Sequence, residues 1–229
     1  MNGDKVVVSI GGSILIPDDN DSIYIRKLAE VIMDVKDEVQ LAIVCGGGKI
    51  ARYYTSTSNE LGATTFQQDM LGIGTTRLNA ELLALALGDA SSADIPLTTE
   101  EAAKRSAPGN VIVMGGTTPG HTTDAVATML ARDMKADRVV NATSVDAVYT
   151  DDPRKNPDAK RLSNIAIAEL GDLVYKEHGA GRSSVFDPLG VKIASEEKID
   201  ILISNGRDLE DLKNAILGNK IKGTFINSH

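Results

Sequence analysis

An α/β fold, with a mainly parallel central sheet between helical layers, is predicted from three observations. Short β-branched runs alternate along the whole chain with longer segments of helical periodicity. The runs are nearly continuous in apolar residues, as in strands covered on both faces, and three of them end in glycine pairs or triplets. Crossovers of the βαβ kind connect such strands most economically, and ligands of such sheets gather at the carboxyl ends of the strands.

The first strand is residues 5–10 (KVVVSI), which run into Gly11, Gly12 and Ser13. Asp21 or Ser22 caps a helix in which Ile25, Leu28, Ala29, Ile32 and Val35 recur at helical spacing. Residues 40–45 (QLAIVC) form a second buried strand, followed by Gly46, Gly47, Gly48, Lys49 and a short helix with Ile50, Tyr53 and Tyr54. Residues 65–87 read as one long helix with Met70, Ile73, Leu78, Leu82 and Leu85 as its apolar positions. Its charges Asp69 and Arg77 are placed to point into a site, and Arg77 is expected to pair with an acid on a neighbouring helix or subunit.

Residues 95–97 are expected to form a short strand, and Thr99, Glu100, Glu101 and Ala102 a capped helix start. Residues 111–114 suit a buried strand and open the third glycine junction. Residues 138–143 (RVVNAT) are the next strand, 145–150 continue as a hairpin, and Pro153 and Pro157 mark an exposed loop. Helical spacing over 165–174, a flexible loop over 179–184, a helix begun by Pro188, a strand over 199–204, a helix over 209–217 and a short strand over 223–227 complete the chain.

At 229 residues, 42% of them hydrophobic, the chain is expected to form one domain with two lobes. A formal net charge of -8 argues against a nucleic-acid partner, which requires a cationic face, while leaving room for a small anion in a local cationic pocket. The absence of Trp and the three Phe residues remove the platforms on which single-strand binders stack bases. No apolar stretch approaches the roughly 20 residues of a membrane span, and the first residues lack a signal peptide's apolar segment. A cytoplasmic protein is therefore expected, with no membrane partner. The lone cysteine, Cys45, cannot form an internal disulfide and reads as a core residue.

The chemistry concentrates in residues 111–131 (VIVMGGTTPGHTTDAVATMLA), where a buried run breaks into glycine and hydroxyl residues before a helix. Exposed amides at a helix N-terminus attract anions, so the stretch reads either as a phosphate site or as an ordinary βα turn. The run Gly46-Gly47-Gly48-Lys49 is not a Walker loop, since Ile43 and Ile50 stand where that motif needs Gly and Ser or Thr. Gly72-Ile73-Gly74 is not a dinucleotide fingerprint, because Arg77 replaces its third glycine. His121, His178 and His229 are scattered and no zinc spacing occurs, so no protein metal site is expected. His121 reads as a loop residue that shapes the site. Several separate glycine loops converging on phosphates remain.

The succession IGGS, CGGGKIAR, FQQDMLGIGTTRLNA, MGGTTPGHTTDA, NATSVDAVYTDDP and GRSSVFDPLGVK resembles the amino acid kinase superfamily and, within it, the archaeal-type uridylate kinases. The match covers nearly the whole chain in order, and the GGTTPGHTTDA loop is its most specific piece. The resemblance implies an open αβα sandwich that transfers the γ-phosphoryl of Mg-carrying ATP to UMP in pyrimidine nucleotide biosynthesis. It implies a homohexamer built from dimers, with the long helix at the dimer contact. It further implies an acceptor lobe over about residues 1–140 and an ATP lobe over about 141–229.

By the same resemblance Gly46, Asp69, Gly116, Thr117, Thr118, Pro119, Gly120, His121 and Thr122 bind UMP, with Asp69 taking the ribose hydroxyls. Gly11, Gly12, Ser13, Gly47, Arg52, Thr143, Ser144, Tyr149 and Asp152 serve ATP, the tyrosine beside the adenine. Asp124 orients cationic groups around the transferred phosphoryl; read without the resemblance, it is equally a helix-cap residue. Lys49 is either a solvated helix-start lysine or an ammonium beside the phosphate path, and with Asp124 it is the expected catalytic pair. Asp146 reads as a turn carboxylate and Lys192 as a surface residue.

Two lysines used by bacterial relatives are absent: Ser9 stands in the first glycine motif, and Ser184 near the second position. Lys49 and Arg52 are the expected replacements for the bridging cation. Two other functions share these features. One is a related kinase acting on isopentenyl phosphate or an acylamino acid; the other is a non-catalytic nucleotide sensor or storage module.

Overall fold

The structure is a computed structural model that describes residues 3–17, 21–92, 94–153, 155–179 and 185–229. Strands β1 (Lys5–Ile10), β2 (Gln40–Cys45), β3 (Ile112–Met114), β4 (Arg138–Thr143), β8 (Asp200–Asn205), β9 (Thr224–Asn227) and β7 (Asn164–Ala166) form one seven-stranded sheet. Its order is β3-β2-β1-β4-β8-β9-β7, and every pairing is parallel except β8 with β9. β1 lies at the centre of the glycine-bearing half, with Ile10 opposite both Cys45 and Ala142. Its side chains from Val6 to Ile10 are buried, as its continuous apolar run requires. A separate two-stranded ribbon pairs β5 (Val148–Tyr149) with β6 (Arg161–Leu162).

Two helical layers cover the sheet. On one face lie α2 (Asp21–Val35), α4 (Thr65–Leu87) and α9 (Leu209–Leu217), with α3 (Gly48–Glu60) packed on α4. On the other, α6 (Thr123–Met134) packs on β1, β2 and β4, flanked by α5 (Thr99–Arg105) and α8 (Pro188–Glu197), and α7 (Ile167–Gly179) packs on α8. α2 buries the predicted stripe Ile25, Leu28, Ala29, Ile32 and Val35. α4 begins at a reciprocal cap in which Thr64 and Gln67 satisfy each other's backbone amides. Cys45 is buried in the core, and burial pushes its thiol up to about 12, so it is an inert apolar residue. Among the described residues no helix is long and apolar enough to cross a membrane.

Four local expectations need correction. Residues 95–97 are not a strand: Pro96 has no amide to donate, and the Leu97 amide donates to Glu101 Oε2 at the entrance of α5. Residues 165–174 are not helical throughout, because Asn164–Ala166 pairs with β9 and the helix begins only at Ile167. The helix after Gly48 is not short; it has 13 residues, and Ile50, Tyr53 and Tyr54 are exposed on it. The long helix does not bury all its apolar positions: Ile73 is buried, but Met70, Leu78, Leu82 and Leu85 lie on an exposed outer face. Helical spacing alone cannot separate two faces when both are apolar. The loop expected at 179–184 falls, apart from Gly179, outside the described residues, as does Ser184.

Candidate active site

Because β1, β2 and β3 are adjacent and parallel, their three glycine junctions come out at one edge of the sheet. The first two touch backbone to backbone. A Cβ placed on Gly12 would lie 2.1 Å from the Gly48 nitrogen and 2.6 Å from the Gly47 carbonyl carbon. Gly48 has φ +63, a left-handed value, and any Cβ there would meet the Gly12 carbonyl. Strand-end hydrogen bonds fix the junctions, Gly46 N–H to Ile10 O at 2.8 Å and Gly11 N–H to Ala142 O at 2.9 Å. Ser13 lies in α1 (Gly12–Leu15), the short helical turn behind Gly11. Lys49 and Arg52 stand on the exposed first turns of α3, just beyond Gly47 and Gly48.

The third junction is held by α4. Gly116 N–H donates to Thr76 Oγ1 at 2.7 Å, and Arg77 Nε donates to Gly116 O at 3.2 Å. Asn79 reaches the second junction from the same helix, its buried amide donating to Gly46 O at 2.7 Å. Arg77 is therefore not paired with an acid of its own chain among the described residues; its partner is a loop carbonyl. Asp69 accepts from Gly120 N–H at 2.8 Å through Oδ2, so it holds the loop. Between these anchors run Thr117, Thr118 and Pro119, and His121 follows directly after the second. Thr117 Oγ1 and His121 Nδ1 are buried with no hydrogen-bond partner among the described residues. Such orphaned groups cost about 1–3 kcal/mol each, which a bound ligand's polar atoms would relieve.

Beneath this loop sits a polar cluster. Thr122 caps α6, accepting from Ala125 N–H, and donates its hydroxyl to Asp187 Oδ2 at 2.8 Å. Asp187 in turn caps α8 by accepting from the amides of Leu189 and Gly190. Asp124, in the first turn of α6, accepts from Ser9 Oγ at 2.7 Å and from Asn141 Nδ2 at 3.5 Å. Burial, aided by the nearby Asp187 charge, pushes the Asp124 carboxyl up to about 6, against the opposing pull of the Ser9 and Asn141 donors. Ser9 thus fills the space between β1 and α6 with a hydroxyl that hydrogen-bonds the carboxylate.

The remaining expected residues lie on the other half of the edge. Thr143 ends β4, with Gly206 N–H bonded to its carbonyl at 2.8 Å, and Ser144 follows it. Tyr149 and Asp152 are carried by the β5–β6 ribbon and its connection, which is anchored by Val148 N–H to Thr224 Oγ1 of β9 at 2.8 Å. The Tyr149 hydroxyl bonds Asp146, which also faces Arg161 at 3.4 Å, so Asp146 orders this ribbon. Lys192 is exposed on α8 near Glu196.

Sequence reading overlooked Thr76, Asn79, Asn141 and Asp187. Thr76 and Asn79 had a signal, as polar residues on the inner side of an apolar helix, and Asp187 had one as an Asp directly before a helix-starting Pro. Asn141 had none, being a polar residue within a buried strand.

A model of the amino acid kinase family matches residues 4–205. A uridylate kinase of Methanobrevibacter smithii is 41% identical over 223 residues, covering 97% of this chain and 98% of that protein. One from Methanocaldococcus jannaschii is 43% identical over 225 residues, covering 97% and 99%. Among solved structures, the uridylate kinase of Archaeoglobus fulgidus superposes with a TM-score of 0.87 at 40% identity, covering 97% of this chain and 99% of that one. A UMP kinase of Bacillus anthracis has the same fold, with a TM-score of 0.81 at 21% identity. By sequence and by architecture, the chain belongs to the amino acid kinase family.

Proposed function

We propose that this protein is a uridylate kinase, an ATP-dependent enzyme that converts UMP and ATP into UDP and ADP in pyrimidine nucleotide biosynthesis. The observation that carries the reading is the near-complete alignment, at about 40% identity, with relatives named for that activity. The three glycine junctions, the first two in backbone contact and the third held by α4, supply what such chemistry needs, amides and close backbone approach at one sheet edge.

The acceptor would occupy the β2–β3 side, against Gly46, Asp69 and residues 116–122, where the orphaned Thr117 and His121 atoms favour a polar base over an apolar terpenyl phosphate. ATP would lie along Gly11, Gly12, Ser13, Gly47, Arg52, Thr143, Ser144, Tyr149 and Asp152. The division near residue 140 falls within β4, so both proposed lobes share one sheet. With a second pKa near ~6 the UMP phosphate is mostly dianionic at neutral pH and needs no general base. Its oxygen attacks the γ-phosphorus in line as the bond to the ATP β–γ bridging oxygen breaks, and no protein nucleophile takes part. Lys49 and Arg52 would neutralise the phosphates, and Asp124 would orient cationic partners.

Among the described residues no three His, Cys, Asp or Glu side chains converge as a metal cage. Mg would be carried in by ATP and held mainly by its phosphate oxygens and water, with the Asp124 carboxylate, bonded to Ser9 of β1 close to the first junction, available on the protein side. When bound, Mg neutralises charge on the transferred group. A coupled assay of ADP release is expected to give turnover with UMP and none with isopentenyl phosphate or acetylglutamate; ATP binding without any turnover would instead make the protein a sensor.

The exposed outer face of α4, with Phe66, Met70, Leu78, Leu82 and Leu85, suits a second copy in a homohexamer of dimers, in the cytoplasm. Light scattering is expected to give the mass of a hexamer, and a monomer would remove this part of the proposal.

A further inference from the structure

We infer that Thr76 and Arg77 of α4 are positioning residues for the phosphoryl acceptor, because between them they hold both polar groups of the Gly116 residue from which the acceptor loop departs. The inference rests on the uridylate kinase reading for the identity of that acceptor. The Thr76 hydroxyl donates its proton to Ile73 O at 2.7 Å, which leaves its oxygen as an acceptor, and Gly116 N–H donates to it at 2.7 Å. Arg77 Nε–H donates to the Gly116 carbonyl at 3.2 Å. With both its N–H and its C=O held by neighbouring residues of one rigid helix, Gly116 has little freedom to turn.

The approach is as close as backbone allows. A Cβ on Gly115 would lie 2.7 Å from the Arg77 nitrogen, and one on Gly116 would lie 3.3 Å from Thr76 Oγ1. Four residues further on, Gly120 N–H donates to Asp69, two turns earlier on the same helix. Asp69, Ile73, Thr76 and Arg77 recur at the i, i+4, i+7, i+8 spacing of a single helical face. That face is therefore a rack on which residues 116–120 are strung at both ends. Arg77 has no carboxylate within ion-pair distance among the described residues, so its guanidinium is committed to the loop rather than to a salt bridge. The hydrogen bonds of the rack go to the UMP side: Gly11, Gly12 and Thr143 take none from these two side chains among the described residues. Thr76 lies near the ATP-side Gly47 only through its Cγ2 methyl, 3.4 Å from where a Cβ on that glycine would stand, a methyl that valine keeps.

The test compares Thr76→Val with Thr76→Ser, and Arg77→Met with Arg77→Lys. Hydrogen exchange of the nucleotide-free protein reads the loop directly, and steady-state kinetics read its consequence. Thr76→Val is expected to speed exchange over residues 115–122 about tenfold and to raise KM for UMP about tenfold, with KM for ATP and kcat within about twofold. Thr76→Ser, which keeps the hydroxyl, restores wild-type values. Arg77→Met gives a smaller shift in the same direction, partly reversed in Arg77→Lys. Unchanged exchange in Thr76→Val, or equal rises in KM for UMP and ATP, overturns the inference. A wild-type protein that leaves UMP untouched removes the substrate reading instead, and the exchange result then decides the rack alone.

Discussion

Asp124→Asn is expected to make the protein more stable at neutral pH and far less active. The Asp124 carboxyl titrates at about 6 in the folded protein, against 3.8 for the ordinary side chain. Between these values the folded state holds a proton that the unfolded chain has released. Stability from this group is therefore full below about pH 4 and is lost as pH rises to about 6, a cost of ~3 kcal/mol at pH 7. An amide carries no such penalty and can still accept from Ser9. The variant should melt about 6–12 °C higher at pH 7 and within about 2 °C of the wild type at pH 4. Turnover should fall about 100-fold if the carboxylate orients cationic partners around the transferred phosphoryl. Melting curves at both pH values and the ADP-release assay check the pair of outcomes. Equal Tm differences at pH 4 and pH 7 would show that the charge is not the cause.

The second large effect is expected from Gly12→Ala. The added methyl would lie 2.1, 2.6 and 2.7 Å from the backbones of Gly48, Gly47 and Gly46, and no rotamer change moves a backbone. The first two junctions must then separate, which is expected to cost about 3 kcal/mol or more and to lower Tm by at least ~6 °C. Turnover should fall by more than about 100-fold, since a displacement near 1 Å at a reacting centre already costs that much. Gly74→Ala in α4 is the control: a Cβ there meets nothing within 4 Å, and alanine favours a helix by about 0.5–1 kcal/mol. If both variants melt alike, the close contact between junctions is not what requires glycine at position 12.

Much of the fold is legible in the sequence because local chemistry and tertiary environment agree there. The bounds of β1, β2 and α9 follow from uninterrupted apolar runs or clear caps. α4 is bounded at Thr65 and Leu87, as the sequence predicts, because Thr64 and Gln67 cap it locally. β7 is missed because three residues, Asn164–Ala166, carry too little pattern to distinguish a strand from the first turn of α7. Its strand character comes from β9, a partner about sixty residues away.

The glycine junctions are legible one by one, as breaks after buried strands, and their family resemblance groups them. That Gly12 and Gly48 touch depends on β1 and β2 being neighbours in parallel register, with Ile10 opposite Cys45. The sequence determined the alternation of strand and helix, the caps, and the glycine and threonine residues available to meet phosphates. These properties arise from bonds within a few residues of each side chain. Only the tertiary structure decided which polar residues act together: Ser9 with Asp124, Thr122 with Asp187, Thr76 and Arg77 with Gly116. Those pairs are separated by tens of residues or more along the chain. They meet because parallel strand order brings distant strand ends to one edge, an arrangement set by packing of the whole sheet rather than by any local preference.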